Sequence, residues 1–534
     1  MKQFQRVRLR KPKSSVFNLS HEKKLTMNMG DLVPVFMEEV IPSDSFRVNT
    51  EALVRMMPMT APIMHRVNCY IHYFFVPYRI IWDDFEKFIT GGETGIQVVN
   101  FPKIQISSMA NIDGLSQWQI GSLADYLGIP VQNFKDLDAP ATPFSQLPFR
   151  AYQQIYNDYY RDQNFQDENE FSKGSSDLDA GSIDANALVK LQKRNWEKDY
   201  FTTCLPFAQR GDQVRIPLLG SAPVSGQAQI NYVDDGHPVQ STDDIEVSGG
   251  KLRTVTTDRD IKFTSNPFWD DPLSADLSEA TSASINDLRT AFSLQRWMEK
   301  MARGGSRYVE QMLHMFGQRS SDARLQRAEY LGGGKLPVSI SEVQQMSATV
   351  EDSPQGNLAG HGVAAGYATG FKRRFEEHGI VLGIMSIMPR TAYMQGLPRL
   401  FSKFDRFDYA WPDFAHIGEQ EIPVKEVFYV TGAGDEVEDN EKLFGYQERY
   451  AEYRFKFDSV HGDMRDSLKM WHMARDLNEN KFRSANSAID SEFVEADPTT
   501  RIYPVEDPKY QKLIVQLYHN FQAIRPLPKF GTPI

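Results

Sequence analysis

The chain has 534 residues, of which 41% are hydrophobic and 24% are charged, and its formal net charge is −11. This is the composition of a folded globular protein, since a disordered chain has fewer apolar residues and a larger charge imbalance. The acidic balance excludes a protein that coats nucleic acid over its whole surface, so any contact with a polyanion must be local.

The N-terminus offers one such local site. No acidic residue occurs before Glu22. The first thirteen residues carry six basic side chains, which are Lys2, Arg6, Arg8, Arg10, Lys11 and Lys13. A short basic arm on an acidic body is typical of a phosphate-binding tail, although a merely solvated terminus fits the pattern equally well.

Apolar patterns predict strands near both ends of the chain. Residues 65–79 alternate at period two, and residues 377–390 form an almost continuous apolar run, as in a strand buried on both faces. Residues 425–431, 450–460 and 512–524 indicate further strands. In the last of these, one face is shared by Leu513, Val515, Leu517 and Phe521. Strands at both ends with a different region between them predict an antiparallel sandwich.

Helical patterns interrupt this framework at irregular intervals. Asp83 and Asp84 precede a short helix that ends at Gly91, and aromatic residues recur at helical spacing over residues 149–160. A capping-box-like start at Ser284 opens a helix that ends at the Gly304–Gly305 pair, and residues 306–316 form another. These patterns predict a β-sandwich with helical insertions and no repeat.

One polar stretch differs from its surroundings. Residues 211–271 are rich in Gly, Ser, Asp, Thr and Val, with weak alternation at 227–233 and 252–256. We expect a surface lobe with short hairpins, because a long polar segment inside a compact domain is usually functional or disordered. Residues 167–184 predict a second, acidic exposed loop.

Catalytic and metal-binding motifs are incomplete. Residues 332–335 resemble a phosphate-binding loop, but Leu336 stands where Ser or Thr is needed. His21 and Glu22 begin like a zinc-protease helix, but Leu25 replaces the second His. Eleven scattered histidines show no ligand spacing. We expect no catalytic residue, no metal and no cofactor.

The two cysteines, Cys69 and Cys204, lie far apart without zinc-site spacing. We expect reduced, buried thiols that pack like small apolar residues. No signal-peptide pattern opens the chain and no run of about 18 apolar residues occurs, so we expect neither secretion by that route nor a membrane span.

Contact chemistry is abundant instead. The chain has 34 Phe, 22 Tyr, 20 Met and 7 Trp, residue types that are favoured at protein interfaces. Residues 411–419 and 444–450 mix aromatic, Arg and Glu side chains, which suits subunit contacts, but core positions of a large domain explain them equally well. The aromatic residues that recur over residues 149–160 could stack the bases of single-stranded nucleic acid, but their helical spacing favours a role in the core.

Several sequence segments, which occur in the same order over most of the chain, match the sequences of one protein family. They are residues 33–49 (VPVFMEEVIPSDSFRVN), 74–92 (FFVPYRIIWDDFEKFITGG), 147–164, 194–210, 288–317, 320–333, 354–358, 377–420 and 444–465 (FGYQERYAEYRFKFDSVHGDMR). This sequence resembles the major capsid proteins of the Microviridae, specifically those of the gokushovirus branch.

The resemblance implies a mainly β chain: a single eight-stranded antiparallel jelly roll of the viral capsid type, with large helical and loop insertions. It also implies a T=1 icosahedral shell of this chain around a circular single-stranded DNA genome. The expected location is the virion, with assembly in the host cytoplasm. Further expected partners are a small basic DNA-binding protein, a pilot protein, an internal scaffolding protein and a host cell-surface receptor.

The same resemblance suggests a division of the chain. Residues 1–30 form a basic arm facing the interior, which makes its six basic residues candidate genome contacts. Residues 31–210 carry jelly-roll strands with helical insertions. Residues 211–272 form the variable surface insertion, and residues 273–534 carry a helical insertion and the remaining strands. The candidate host-recognition residues in the insertion are Asn231, Tyr232, Asp234, Asp235 and His237.

Two other classes remain open. A carbohydrate-active enzyme also combines a β-sandwich with aromatic clusters and paired carboxylates, but it acts as a monomer or small oligomer. A receptor-binding spike forms trimers or fibres and usually contains repeats. Formation of closed particles separates a shell protein from both.

Overall fold

The structure is a computed structural model, which describes residues 14–93, 96–105, 118–131, 143–179, 182–212, 214, 224–225, 231–232, 245–248, 251–254, 261–262, 274–275, 285–304, 307–319, 321–344, 346, 358–431, 439–483, 487–507 and 510–530. The chain divides into two compact units. Unit 1 comprises Met1–Ala208 and Met301–Ile534, and unit 2 comprises Gln209–Lys300.

The strands of the chain are as follows. Up to Ala208 they are β1 (Ser15–Asn18), β2 (His21–Met27), β3 (Val33–Val40), β4 (Ser45–Met56), β5 (Val67–Pro77), β6 (Lys103–Gln105), β7 (Phe144–Ser145) and β8 (Leu178–Asp179). In unit 2 they are β9 (Val224–Ser225), β10 (Asn231–Tyr232), β11 (Ile245–Ser248), β12 (Lys251–Thr254), β13 (Ile261–Lys262) and β14 (Ser274–Ala275). After unit 2 they are β15 (Glu329–Gln344), β16 (Leu358–Arg374), β17 (Gly379–Pro389), β18 (Ala392–Tyr393), β19 (Glu419–Pro423), β20 (Leu443–Glu448), β21 (Asp458–Ser459) and β22 (Leu513–Arg525).

The α-helices are α1 (Tyr78–Ile81), α2 (Phe85–Thr90), α3 (Leu123–Tyr126), α4 (Leu147–Ile155), α5 (Ile183–Val189), α6 (Ile285–Arg303), α7 (Tyr308–Phe316), α8 (Val424–Val427), α9 (Ala451–Arg454), α10 (Glu479–Arg483) and α11 (Ser491–Val494). A π-helical turn, Tyr156–Tyr160, continues α4. Among the described residues, no helix is both long enough and apolar enough to cross a membrane.

A nine-stranded antiparallel sheet dominates unit 1, in the order β1-β22-β4-β16-β15-β5-β17-β3, with β2 also paired to β22. The long strand β15 changes partner along its length. Its first part, up to Val338, pairs with β5, and its last part, from Ser339, pairs with β16. The sheet is therefore curled, as in a capsid jelly roll, and the predicted fold class is confirmed. The count of eight strands stays a prediction.

The burial pattern explains why these segments form strands. Along β22 every second residue is buried, so the shared face predicted for Leu513, Val515, Leu517 and Phe521 is confirmed. Every residue of β17 is buried. Its alternate side chains enter two different cores, Val381, Met385 and Ile387 in one and Ile380, Leu382 and Ile384 in the other. A strand that is covered on both faces is apolar throughout, which is the pattern in its sequence.

The predicted helices near residues 85, 149, 285 and 308 are confirmed as α2, α4, α6 and α7. α2 ends at Gly91, whose φ of 75° is the left-handed conformation that suits glycine at a helix end. The aromatic stripe of α4 is core, because Phe149, Tyr152 and Tyr156 are buried. The alternative that this whole stripe stacks bases is therefore wrong.

Two predicted strands are wrong. Within residues 425–431 the chain forms α8, in which Val424 and Val427 are buried on the same side, three residues apart. Pro423 precedes this turn, and the three-residue spacing of the two valines puts them on one face of a helix, whereas a strand would turn them to opposite faces. Within residues 450–460 the chain forms α9 after Tyr450, whose φ of 64° breaks an extended path, and of this segment just Asp458–Ser459 forms a strand, β21.

In unit 2, β11 and β12 form an antiparallel hairpin, and β10 pairs with β13. The predicted alternation at residues 252–256 overlaps β12, and that at residues 227–233 overlaps β10. The assignment of residues 211–272 to a surface protrusion stays a prediction.

Candidate functional site

A large cleft of unit 1 has a volume of about 1520 Å³. Its lining comes from β5, from the π-helical turn, from the loop around residue 195, from both ends of the segment 302–331 and from the end of β16. These parts are far apart in sequence, and the curled sheet brings them to one place. Among the described residues that line it, nine Lys or Arg side chains face six Asp or Glu side chains. The cleft is therefore locally basic on an acidic chain.

Aromatic rings form one wall of the cleft. Phe74 lies at the centre, with ring centroids 4.8 Å from Tyr159, 6.0 Å from Tyr160 and 5.5 Å from Tyr330. The ring of His72 is stacked against Tyr160 at 6.1 Å. Alternate residues of β5 thus place two rings on one face of the strand, as the period of a strand requires.

The π-helical turn places the two tyrosines. The consecutive Tyr159 and Tyr160, at the end of this turn, both contact Phe74. The Tyr159 hydroxyl donates to the carbonyl oxygen of Ala328 at 2.6 Å, and the Tyr160 hydroxyl lies 2.9 Å from Nδ1 of His72. π-turns inside α-helices occur frequently at functional sites.

His72 is neutral at physiological pH. Burial, together with the positive charge of Arg194, lowers its pKa to about 4. The positive charge of the cleft therefore comes from Arg and Lys.

Several of these arginines are held in fixed positions by protein groups. Arg303 donates to Glu419 Oε1 at 2.7 Å and to Gln447 at 2.7 Å. Arg307 donates to the carbonyl oxygen of Arg161 at 2.7 Å. Arg327 lies over the Tyr159 ring, 4.2 Å from its centroid. Such anchoring leaves the remaining N–H groups oriented without a further loss of side-chain entropy.

Arg319 and Lys372 line the same cleft and are exposed. With the half-exposed ring of Tyr330, they combine a basic groove that suits a nucleic-acid backbone with a ring face that suits a base. The sequence pattern at residues 149–160 indicated rings here. No sequence pattern indicated the basic cluster, because its arginines are scattered over separate segments.

A second cleft, of about 600 Å³, contains a buried carboxylate. Glu426 is 3% exposed and accepts hydrogen bonds from the Tyr200 hydroxyl at 3.0 Å and from Arg399 Nη1 at 2.9 Å. Burial raises the pKa of Glu426 to about 7, although the neighbouring Arg399 opposes the shift. These contacts fix the position of Arg399.

The two predicted contact motifs differ in how far their side chains are buried. In residues 444–450, Phe444 and Tyr450 are buried, so the core explanation holds for this motif. In residues 411–419, Trp411 is 48% exposed and Ile417 is 63% exposed. Only the second motif offers an outward-facing apolar surface.

Other predicted sites are resolved in part. The arm residues Lys2, Arg6, Arg8, Arg10, Lys11 and Lys13 lie outside the described residues, as do Asp234, Asp235 and His237. Asn231 and Tyr232 form β10.

Both thiols are free and buried, as predicted. Burial raises the pKa of Cys69 to about 12 and raises that of Cys204 as well. Within the described part of the chain, His, Cys, Asp and Glu form no group of three or more that could hold a metal ion. The glycines at residues 332–334 belong to β15, so this segment is a strand and not a phosphate-binding loop.

Comparison with known proteins identifies the family. A model of the phage capsid protein (F protein) matches residues 5–534. Capsid protein VP1 of Bdellovibrio phage phiMH2K is 35% identical, with 97% of this chain and 95% of that protein covered. Capsid protein VP1 of Chlamydia phage 1 is 34% identical, with the same coverage, and that of Spiroplasma virus 4 is 32% identical, with 98% and 95% covered. The chain therefore belongs to the phage capsid protein (F protein) family and is a major capsid protein of the Microviridae, in the gokushovirus branch.

Proposed function

We propose that this capsid protein builds a T=1 icosahedral shell around a circular single-stranded DNA genome and that it has no enzymatic activity. Membership of the capsid family over residues 5–534 is the observation that carries the proposal. Electron microscopy of the purified chain tests it. Closed particles of one size, as a T=1 shell requires, are expected, whereas trimers or fibres would favour a spike protein and small soluble oligomers would favour a carbohydrate-active enzyme.

The genome contact is assigned to the basic cleft and to the arm. The cleft supports this role because exposed Arg319 and Lys372 line it together with Tyr330, whose side chain is 47% exposed. Base stacking on aromatic faces is tolerant of sequence, which suits a shell that must hold any genome segment.

Neutralising the two exposed cations tests the cleft. A cation that neutralises one phosphate of single-stranded DNA contributes about 0.7 to the slope of log affinity against log salt. Arg319→Gln and Lys372→Gln should therefore each make this slope shallower by about 0.7. Arg55→Gln is the matched control, because Arg55 is exposed on β4 and does not line the cleft. Equal salt dependence in all variants would remove the cleft from the proposal.

The arm is a separate proposal. Replacing Lys2, Arg6, Arg8, Arg10, Lys11 and Lys13 by neutral residues should weaken genome retention most at low salt, and the difference from the native chain should shrink as the salt concentration rises. Packaging that is indifferent to these changes would leave the arm as a tether or an assembly contact.

Residues 211–272 are proposed to form the surface protrusion that contacts the host, with Asn231, Tyr232, Asp234, Asp235 and His237 as candidate contacts. Support comes from the polar composition of this segment and from its place in a compact unit of its own, Gln209–Lys300. Microscopy and infectivity of particles that lack these residues test the idea. Unchanged protrusions and unchanged infectivity would contradict it.

The remaining partners follow from the same proposal. They are a small basic DNA-binding protein, a pilot protein, an internal scaffolding protein and a host cell-surface receptor. The chain is a virion protein by its family, and we propose that it assembles in the host cytoplasm.

A further inference from the structure

A short segment of unit 1 exposes a dense set of large apolar side chains. This segment, residues 398–418, is called the aromatic strap below. It contains three 3-10 turns, at Arg399–Ser402, Arg406–Asp408 and Pro412–Phe414. The exposed side chains and their exposed fractions are Leu400 70%, Phe401 64%, Phe404 89%, Phe407 46%, Tyr409 51%, Trp411 48% and Ile417 63%.

The strap is held in one conformation despite its exposure. The carboxylate of Asp408 accepts hydrogen bonds from the backbone amides of Phe404 at 2.9 Å and Asp405 at 2.8 Å. These two bonds lower the pKa of Asp408, since they stabilise its charged form. The indole N–H of Trp411 donates to the carbonyl oxygen of Arg406 at 2.8 Å. Polar bonds thus fix the backbone while the rings face solvent.

Ion pairs fasten the strap to the rest of unit 1. Arg399 donates to the buried carboxylate of Glu426 at 2.9 Å and to the carbonyl oxygen of Glu421 at 3.1 Å. Lys403 donates to Glu452 at 3.0 Å and to the Tyr453 hydroxyl at 2.9 Å. Tyr453 is itself 56% exposed, so the apolar surface extends beyond the strap.

The exposed area has the size of a protein interface. Aromatic side chains present roughly 150–250 Å² each, so the seven exposed fractions together leave on the order of 800 Å² open to solvent. The largest apolar patch on an ordinary monomer is about 300–600 Å². A stable interface buries about 800 Å² on each partner.

We propose that the aromatic strap is a contact surface between subunits of the shell and that its occupant is a second copy of this chain. The inference rests on the proposed shell and adds the surface that closes it. A self-assembling subunit must hide its apolar contacts against copies of itself, and a rigid strap reaches the contact without a large loss of conformational entropy.

Chemical labelling at the tip of the strap tests the inference. Phe404 is 89% exposed, and the native thiols Cys69 and Cys204 are each 1% exposed, so Phe404→Cys introduces one accessible thiol. The alkylation rate should be at least about tenfold lower in assembled particles than in dissociated subunits, because a buried thiol reacts slowly. The unmodified chain in both states is the control for background labelling.

A second pair of variants tests whether the contact drives assembly. Phe404→Glu places a charge on the contact and should reduce the yield of particles by at least about tenfold. Phe404→Leu keeps an apolar side chain and should assemble. Thermal unfolding of the dissociated subunits should be unchanged in both variants, since the side chain is exposed in the single chain.

The outcomes separate the two proposals. Closed particles in which position 404 labels as fast as in free subunits would overturn the strap as an interface and leave the shell intact. Normal particle yield from Phe404→Glu would do the same. Absence of closed particles from the unmodified chain would overturn the shell itself, and this inference with it.

Discussion

His519 is a buried, neutral histidine at the middle of β22. Its side chain lies 2.8 Å from the Thr50 hydroxyl through Nδ1 and 3.1 Å from the carbonyl oxygen of Val35 through Nε2. The carbonyl oxygen can only accept, so Nε2 carries the proton and Nδ1 accepts from Thr50. Burial, together with the nearby His21 and Lys23, lowers the pKa of His519 to about 4.

This pKa predicts a loss of stability in acid. The unfolded histidine has a pKa near 6.5, so between about pH 6.5 and pH 4 the unfolded chain binds a proton that the folded chain refuses. The contribution of His519 is complete above pH 6.5 and declines as the pH falls toward 4, by about 3 kcal/mol. Urea unfolding of the dissociated subunit at pH 7 and pH 5 measures it.

A variant separates His519 from other acid-sensitive groups. His519→Gln should be less stable than the native chain at pH 7 but should lose less stability between pH 7 and pH 5. Part of the slope should persist, since burial also lowers the pKa of His72 to about 4. The exposed His416 provides the control, as His416→Gln should keep the native slope. Equal slopes for all three proteins would refute the assignment.

At the scale of elements, β16 shows how a strand can depend on single glycines. Its pairing with β4 shifts register between Ala368 and Phe371. At this irregularity a Cβ built on Gly370 would overlap the carbonyl oxygen of Val48. At Gly366, earlier on the same strand, a Cβ would meet only the flexible end of Leu336, at 3.0 Å.

Two alanine substitutions therefore differ in effect. Gly370→Ala should lower the free energy of unfolding by about 1–3 kcal/mol, because backbone must move to make room. Gly366→Ala should be neutral or stabilising by up to about 1 kcal/mol, because it restricts the unfolded chain and strains nothing. Chemical denaturation of both variants measures the two changes in the free energy of unfolding. A similar loss of stability in both would show that the loss of a glycine, and not the contact with the Val48 backbone, causes the destabilisation.

Apolar burial explains which strands the sequence predicts, and small residues explain which strands it misses. β5, β17 and β22 carry strong apolar patterns that predict them, because burial of one or both faces sets the residue types. β15 and β16 carry no such pattern and are absent from the prediction. β15 has three consecutive glycines, and β16 is rich in Gly and Ala. At Gly333, Gly360 and Gly370 neighbouring backbone or side chains leave no room for a larger residue.

The cleft was harder to predict than the strands. Its tyrosines showed a helical period, which correctly indicated core at the buried positions but gave no sign that a π-turn directs Tyr159 and Tyr160 toward Phe74. Its cations come from separate segments that only the curled sheet brings together. The strap was indicated by the mixed motif at residues 411–419, but exposure distinguishes it from the buried motif at residues 444–450.

At the scale of the whole molecule, the two ends of the chain meet inside one sheet. β22 lies between β4 on one side and β1 with β2 on the other. Its buried residues Leu513, Val515, Leu517, Phe521 and Ala523 all belong to the main core. The sheet therefore closes only after the last strand has been made, a topology of high contact order that favours slow folding.

This closure predicts opposite results for two deletions. Removal of residues 510–534 takes out β22 and five buried apolar side chains, a loss of roughly 10 kcal/mol, which is comparable to the whole stability of a domain. Replacement of residues 211–272 by a short Gly-Ser linker removes far more chain but none of the residues that build the described cores.

The shorter deletion should therefore unfold the subunit, and the longer one should leave its cooperative thermal transition in place, because a change of loop length alters closure entropy only slowly. Circular dichroism melting of the two purified chains compares them directly. A folded chain without β22 would mean that β1, β2 and β4 hold the sheet by other contacts. A loss of the transition on removal of residues 211–272 would mean that unit 1 depends on that segment for its own stability.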